Sequence, residues 1–338
     1  MARITTLGQI DGQDVQQATL ETGGLKLALL TWGARLSELW VPDAKGILAD
    51  IVLGHDTLQA WQTHGKYLGA TCGRYANRIA GGRFTLDGRI IQLDRNEGAN
   101  SLHGGSHGFD LKHWQIADHS DSHVTFVTTS PDGEMGYPGA MHAQTTYRID
   151  GPTLTIEMTA TTDAPTIVNL VNHAYFNLAG QGAGDIMAQH LRVHADNYLP
   201  VDTALIPTGD LKPVENTAFD FRQNRPIGAR LPGPRAFDHN LCLSAPLGAD
   251  GLRPCLTATD PASGRRLTLS TTEPGVQLYT GAHFDGPGKY GAHYRRFAGF
   301  AVETQRFPDS PNNPHFPTAR LDPGQTYRHV MRFDFTAA

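Results

Sequence analysis

The chain has 338 residues, 39% hydrophobic and 18% charged, with a formal net charge of −5. No Lys/Arg-rich block is present, which excludes nucleic acid or an anionic membrane as main partner and leaves a neutral small molecule. No apolar run approaches the roughly 18–20 residues that cross a bilayer, so no membrane partner is expected either.

The 37 glycines and 21 prolines, set against so few charges, suit short strands joined by turns. Cys72, Cys242 and Cys255 are too few and too scattered for a disulfide framework or a CxxC metal pair. Met1 to Asp14 lacks the apolar core and cleavage site of a signal peptide. The expectation is a cytoplasmic protein, a monomer or homodimer, with one domain over residues 1–338.

Leu25 to Pro42 reads as strand, broken at Gly33-Ala34, and Ile51-Val52-Leu53 ends at Gly54. Between His55 and His64 a helix of at most about two turns fits. Phe84 to Leu93 is a hairpin turning at Asp87-Gly88, because Asp-Gly supplies the positive φ values of a tight primed turn. The signal returns at Asp150-Gly151, followed by alternation of Leu154, Ile156 and Met158 with Thr155, Glu157 and Thr159. Further strands are expected at 123–128, 252–259, 266–271, 275–279, 297–302 and 327–335. In the last, Tyr327, His329, Met331, Phe333 and Phe335 share one face. The pattern predicts an all-β fold, a large antiparallel β-sandwich with very little helix.

Chemistry gathers in a few stretches. Gly73-Arg74-Tyr75-Ala76-Asn77-Arg78-Ile79 puts two arginines in a weakly charged turn. Arg78 should be partly buried, held by an internal carboxylate or by ligand hydroxyls. Asn100-Ser101-Leu102-His103-Gly104-Gly105 opens a loop whose glycines let backbone approach a ligand. His103, His107 and His113 there are either a solvated loop or a metal set. Ile167 to Leu178 is an apolar strand carrying Asn169, Asn172, His173 and Asn177. Buried polar groups must be paired, so these either satisfy one another in the core or face a polar cleft. Asp238-His239-Asn240 is a turn-like polar cluster, and Gln277 and Tyr279 share a strand face. Phe297 to Val302 is apolar and runs into Glu303. Glu303 is either a strand-end surface carboxylate or a desolvated one with a raised pKa, suited to general base work.

Six motifs, Gly73 to Ile79, Asn100 to Gly105, Asn172 to Leu178, Asp238 to Asn240, Gly275 to Gly281 and Glu303 to Gln305, together resemble the aldose 1-epimerase (galactose mutarotase) family, in its order and over most of the chain. The resemblance implies a β-supersandwich and interconversion of the α and β anomers of a free monosaccharide. It implies Glu303 as general base and His173 as general acid. It also implies Asn77, Arg78, His103, Asp238 and Gln277 as sugar contacts, with no metal and no cofactor. Nearby Glu303 is expected to favour the cationic form of His173. Competing readings are a sugar-binding module without turnover, a glycosidase using Asp238 and Glu303, a mutarotase for phosphorylated sugars, and a metallohydrolase on the His-rich loop.

Overall fold

The computed structural model describes residues 1–233 and 236–337. Its chain runs through three large antiparallel sheets. The first is a five-stranded meander in chain order: Arg3–Ile10, Gln13–Thr22, Leu25–Leu30, Arg35–Pro42 and Leu48–Asp50. The second has nine strands: Gln115–His119, His123–Ser130, Met141–Asp150, Thr153–Thr162, Tyr327–Ala337, Arg265–Thr271, Arg253–Thr259, His190–Val193 and Arg225–Pro226. The third has six: Tyr175–Phe176, Phe300–Gln305, Gly275–Tyr279, Asp238–Leu243, Ala195–Tyr198 and Lys212–Pro213.

The inner faces follow from period-two alternation. Leu154, Ile156 and Met158 are fully buried, while Thr155, Glu157 and Thr159 on the other face are only partly so. They share one core with Leu27 and Leu29 of the first sheet and with Leu241, Val276 and Val302 of the third. Tyr327–Ala337 lies in the middle of the nine-stranded sheet, paired with Thr153–Thr162 on one side and Arg265–Thr271 on the other. Its five alternating residues from Tyr327 to Phe335 are all buried. His329 among them is a satisfied core histidine: Nδ1 meets the Leu170 carbonyl at 2.9 Å and Nε2 the Thr304 hydroxyl at 2.7 Å.

The one α-helix among the described residues, Leu58–His64, has two turns and is capped by Thr57, whose hydroxyl accepts from the Ala60 N–H. The hairpin at Asp87-Gly88 forms with both residues at positive φ, 49° and 76°. At the next hairpin Asp150 pairs with Thr153, so the turn is Gly151-Pro152, one residue later than expected. Gly151 supplies the positive φ of 55° that Pro152 cannot adopt.

Two expectations about strands are corrected. The apolar run at 297 becomes the strand Phe300–Gln305, and Phe297 itself sits at φ 69°. Glu303 is therefore inside a strand, opposite Gln277, and not at its mouth. The stretch from Ile167 to Leu178 is not one strand but three two-residue pieces, Thr166–Ile167, Val171–Asn172 and Tyr175–Phe176, each paired in a different sheet. The asparagines hold these reversals together. Asn169 bridges the Ala76 carbonyl and the Arg306 N–H, Asn172 reaches the Tyr147 hydroxyl, and Asn177 takes the Ala298 carbonyl and the Gln189 amide.

Candidate active site

The polar residues singled out in the sequence converge on one cleft of about 370 Å³. Its lining includes all seven candidate residues, Asn77, Arg78, His103, His173, Asp238, Gln277 and Glu303. A larger hollow of about 460 Å³ lies on the nine-stranded sheet, but histidines, threonines and glutamines line it without a carboxylate or a cation.

Each side chain is aimed by its strand. His173 follows Val171–Asn172, which pairs with Thr71–Cys72, and precedes Tyr175–Phe176, which pairs with Phe300–Gln305. It is thus pinned from both ends. Two strand pairs lead from Glu303 to the other wall: Glu303 opposes Gln277, and Asp238 opposes Tyr279. On the facing side Arg78 pairs with Leu102, so that His103 emerges next to it. Asn77 and His103 both take left-handed backbone, φ 64° and 51°, and lock each other. The Asn77 N–H donates to His103 Nδ1 at 3.2 Å, and the His103 N–H returns to the Asn77 carbonyl.

At the floor, His173 Nε2 lies 3.5 Å from Glu303 Oε1, and the two side chains are 5% and 2% exposed. His173 lies against the Tyr175 ring at 5.0 Å and edge-on to His103 at 5.2 Å. Gln277 donates to Asp238 Oδ1 at 2.7 Å and accepts from Gln305, which also donates to Asn240. Arg78 grips Glu97 with two bonds of 2.7 Å, and Glu97 is part of the cleft wall. The internal-carboxylate alternative for Arg78 holds, and its side chain also lines the cleft. Tyr279 lines it too, bonded to His283.

Burial governs the electrostatics. Desolvation raises the Glu303 carboxyl well above the ordinary range, the charge of Asp238 raises it further, and Arg78 offsets part of this. Desolvation lowers His173 to about 3, and His103 falls for the same reason. This corrects the expectation that Glu303 would favour a cationic His173. Both groups are out of water, and a carboxyl that is itself driven towards its neutral form offers the imidazolium little charge.

Other expectations fall differently. Of the His-rich loop only His103 reaches the cleft; His107 is exposed and His113 lines the other hollow. The glycines there serve the chain's own backbone. A Cβ on Gly104 would stand 1.9 Å from the Gly73 carbonyl oxygen. Arg74 turns away into a buried cage, donating to the Ser130 hydroxyl and to the carbonyls of Ser130, Pro131, Pro138 and Gly139. Glu97, Tyr67 and His283 went unnoticed in the sequence. Only Glu97, three residues before the Asn100 motif, carried a signal: a carboxylate near the arginine that needed one. Among the described residues, donor atoms of His103, His173 and Glu303 lie within 4.8 Å of one another, but His103 accepts the Asn77 N–H at Nδ1 and so carries its proton on the other ring nitrogen.

The family model for aldose 1-epimerase matches residues 16–334. Galactose mutarotase of Bos taurus is 44% identical over 96% of this chain and 95% of its own. Aldose 1-epimerase of Escherichia coli is 36% identical over 97% of each. Among solved structures, an aldose epimerase homologue from C. elegans superposes with a TM-score of 0.88 at 31% identity, covering 95% of this chain and 99% of that one.

Proposed function

Because the chain belongs to the aldose 1-epimerase family, and is an isomerase that interconverts the α and β anomers of aldoses, we propose that Glu303 and His173 are the base and acid of that reaction. The observation that carries the proposal is the buried carboxylate–imidazole contact, 3.5 Å long, at the floor of a cleft walled by hydrogen-bonding side chains.

A cyclic hemiacetal opens when its anomeric hydroxyl loses a proton and its ring oxygen gains one. Those two oxygens share one carbon, so the groups serving them must be neighbours, as Glu303 and His173 are. Glu303 takes the hydroxyl proton and His173 gives one to the ring oxygen. The aldehyde turns about C1–C2, and reclosure with both transfers reversed yields the other anomer. Each positioned group contributes about 10²–10⁴-fold.

The opposed pKa shifts set the resting state of this cycle: burial favours carboxylic acid plus imidazole, and the imidazolium–carboxylate form is its minor tautomer. With Glu303 raised and His173 lowered, the pair retains one proton over a wide pH range, held on Glu303. Imidazolium plus carboxylate is the state that opens the ring, and imidazole plus carboxylic acid is the state that opening leaves behind. They contain the same proton count, so the cycle draws nothing from solvent.

Asn77, Arg78, His103, Asp238 and Gln277 hold the sugar's hydroxyls. The Arg78–Glu97 and Gln277–Asp238 pairs present fixed donors and acceptors to them. Three buried free thiols suit a reducing compartment, and we assign the activity to the cytoplasm. Polarimetry on freshly dissolved α-D-galactose, α-D-glucose and α-D-xylose tests the reading and ranks the sugars. A His173→Asn variant as fast as wild type would remove the acid assignment.

A further inference from the structure

We infer that Gln305 is a positioning residue for sugar binding: anchored on Asn240, it reaches across Gly275, holds the Gln277 amide and so fixes what that amide offers a sugar hydroxyl. The inference rests on the proposed role of Gln277 and Asp238 as sugar contacts.

Strand register builds the arrangement. Asn240, Gln277 and Glu303 stand opposite one another across three neighbouring strands, and two residues further along its strand Gln305 opposes Gly275. Alternation puts these side chains on one face of the sheet. Gly275 has no side chain, so the Gln305 amide crosses the middle strand at that point. A Cβ at Gly275 would stand 2.6 Å from Asn240 Oδ1 and 2.9 Å from its Nδ2. The Gly275 backbone is not left-handed, so space and not φ calls for the glycine.

The hydrogen bonds run in one direction. Asp238 lies at one end, and a carboxylate accepts only. Gln277 gives it an N–H at 2.7 Å and turns its own carbonyl to Gln305. Gln305 meets that carbonyl with an N–H at 3.3 Å and donates to Asn240 Oδ1 at 3.1 Å. Asn240 then has its amino group beside Cys242 Sγ at 3.9 Å, a weak acceptor. Reversing one amide would set carbonyl against carbonyl or carbonyl against carboxylate. Asn240, Gln277 and Gln305 are all deeply buried, so bulk water does not compete for these groups.

A second observation separates positioning from stability. Gln305 Oε1 is buried and has no hydrogen-bond partner among the described residues. Such an orphan is costly, and an apolar side chain of the same shape would not carry it. What Gln305 supplies in return is its amino group, which holds the two neighbouring amides.

The outcome is a donor of fixed sense. Gln277 has one N–H hydrogen left, close to the Asp238 carboxylate, and both residues line the cleft. A sugar hydroxyl accepts from the first and donates to the second at once, whereas an ether oxygen or a C–H group satisfies at most one. The route from Gln305 to the sugar runs through Gln277 and not through Glu303 or His173. It therefore governs KM and leaves kcat alone.

Polarimetry over a range of α-D-galactose concentrations tests this with Gln305→Met, which keeps the volume and removes both N–H groups. KM should rise about 2–12-fold, the worth of one net hydrogen bond, with kcat within about twofold of wild type. Gln277→Met alone should also raise KM. In that background Gln305→Met should change KM no further, because its effect passes through the missing amide. Asn240→Ala removes only the anchor; it should raise KM in the same direction and fall equally silent in Gln277→Met. It carries the test if Gln305→Met does not fold. A loss that falls on kcat, or a KM effect that persists in the Gln277→Met background, would overturn the inference. A raised KM in Gln277→Met beside a wild-type KM in Gln305→Met would remove the role of Gln305 and leave the sugar contact standing. A wild-type KM in Gln277→Met would remove the contact and the inference together.

Discussion

Replacing Glu303 by glutamine separates catalysis from folding at a single atom. The change keeps side-chain shape and the contact with His173 but removes the proton acceptor. A positioned general base contributes about 10²–10⁴-fold, or about 2.7–5.4 kcal/mol of barrier. Glu303 is 2% exposed, so no bulk water stands ready to replace it, and the upper half of that range is expected. Stability should move the other way. The Glu303 pKa is raised in the folded protein, so the wild type loses stability as pH climbs above the unfolded carboxyl value near about 4.3. Glutamine has no charge to desolvate. The melting temperature of Glu303→Gln should therefore gain on wild type as pH rises from about 4 to about 8. Polarimetry on α-D-galactose, corrected for the spontaneous rate, reads the first quantity, and calorimetric melts across that pH range read the second. Turnover within tenfold of wild type would refute the base assignment. A variant that lost ground with rising pH would refute the account of Glu303 as a desolvated carboxyl.

Further outcomes follow from the same geometry. With His173 lowered to about 3 and Glu303 raised, the one-proton pair should survive mild acid. kcat/KM should then stay flat as pH falls from about 7 to about 5, and an acid limb near the ordinary histidine value of about 6.5 would contradict this. Glu97→Gln breaks the paired grip on Arg78; because Glu97 is partly exposed, the low end of the charged hydrogen-bond range applies, and KM should rise roughly tenfold with kcat little changed. Lys289 and Asp50 form an ion pair, each 2% exposed, away from the cleft. Lys289→Met leaves the Asp50 carboxylate buried with only the Leu39 and Val52 N–H groups. It should cost about 3–5 kcal/mol in urea denaturation with turnover per folded molecule unchanged.

Much of the fold was legible because strand patterning is local. The alternation of Leu154, Ile156 and Met158 survives intact, as does the face shared by Tyr327 through Phe335. Asp87-Gly88 turned where its φ preferences require. The stretch around His173 misled because its partners are not local. An apolar run looks the same whether it is one strand or three fragments dealt to different sheets, and the asparagines that decide this bond to backbone as far as 137 residues away. Histidine shows the same limit. His173 and His329 are both buried, yet one is fully bonded and the other has a bare Nδ1, a difference made by Leu170 and Thr304 and not by their flanking sequence. The seven candidate residues that line the cleft were recognisable as motifs. The charge state of their central pair was not, because desolvation depends on packing from every side.

The place of Tyr327–Ala337 bears on how the protein is made. On the ribosome, Thr153–Thr162 and Arg265–Thr271 emerge long before the strand that must lie between them. Until then each presents an open ladder edge, and Leu154, Ile156 and Leu267 lack the Phe333 and Phe335 rings that share their core. Such edges invite pairing with other chains. The nascent protein must wait, half-zipped, for its closing strand, and cellular holding factors or slow synthesis would matter most in that interval. A deletion beginning at Tyr327 would not trim the molecule. It would leave two half-sheets with nothing to join them.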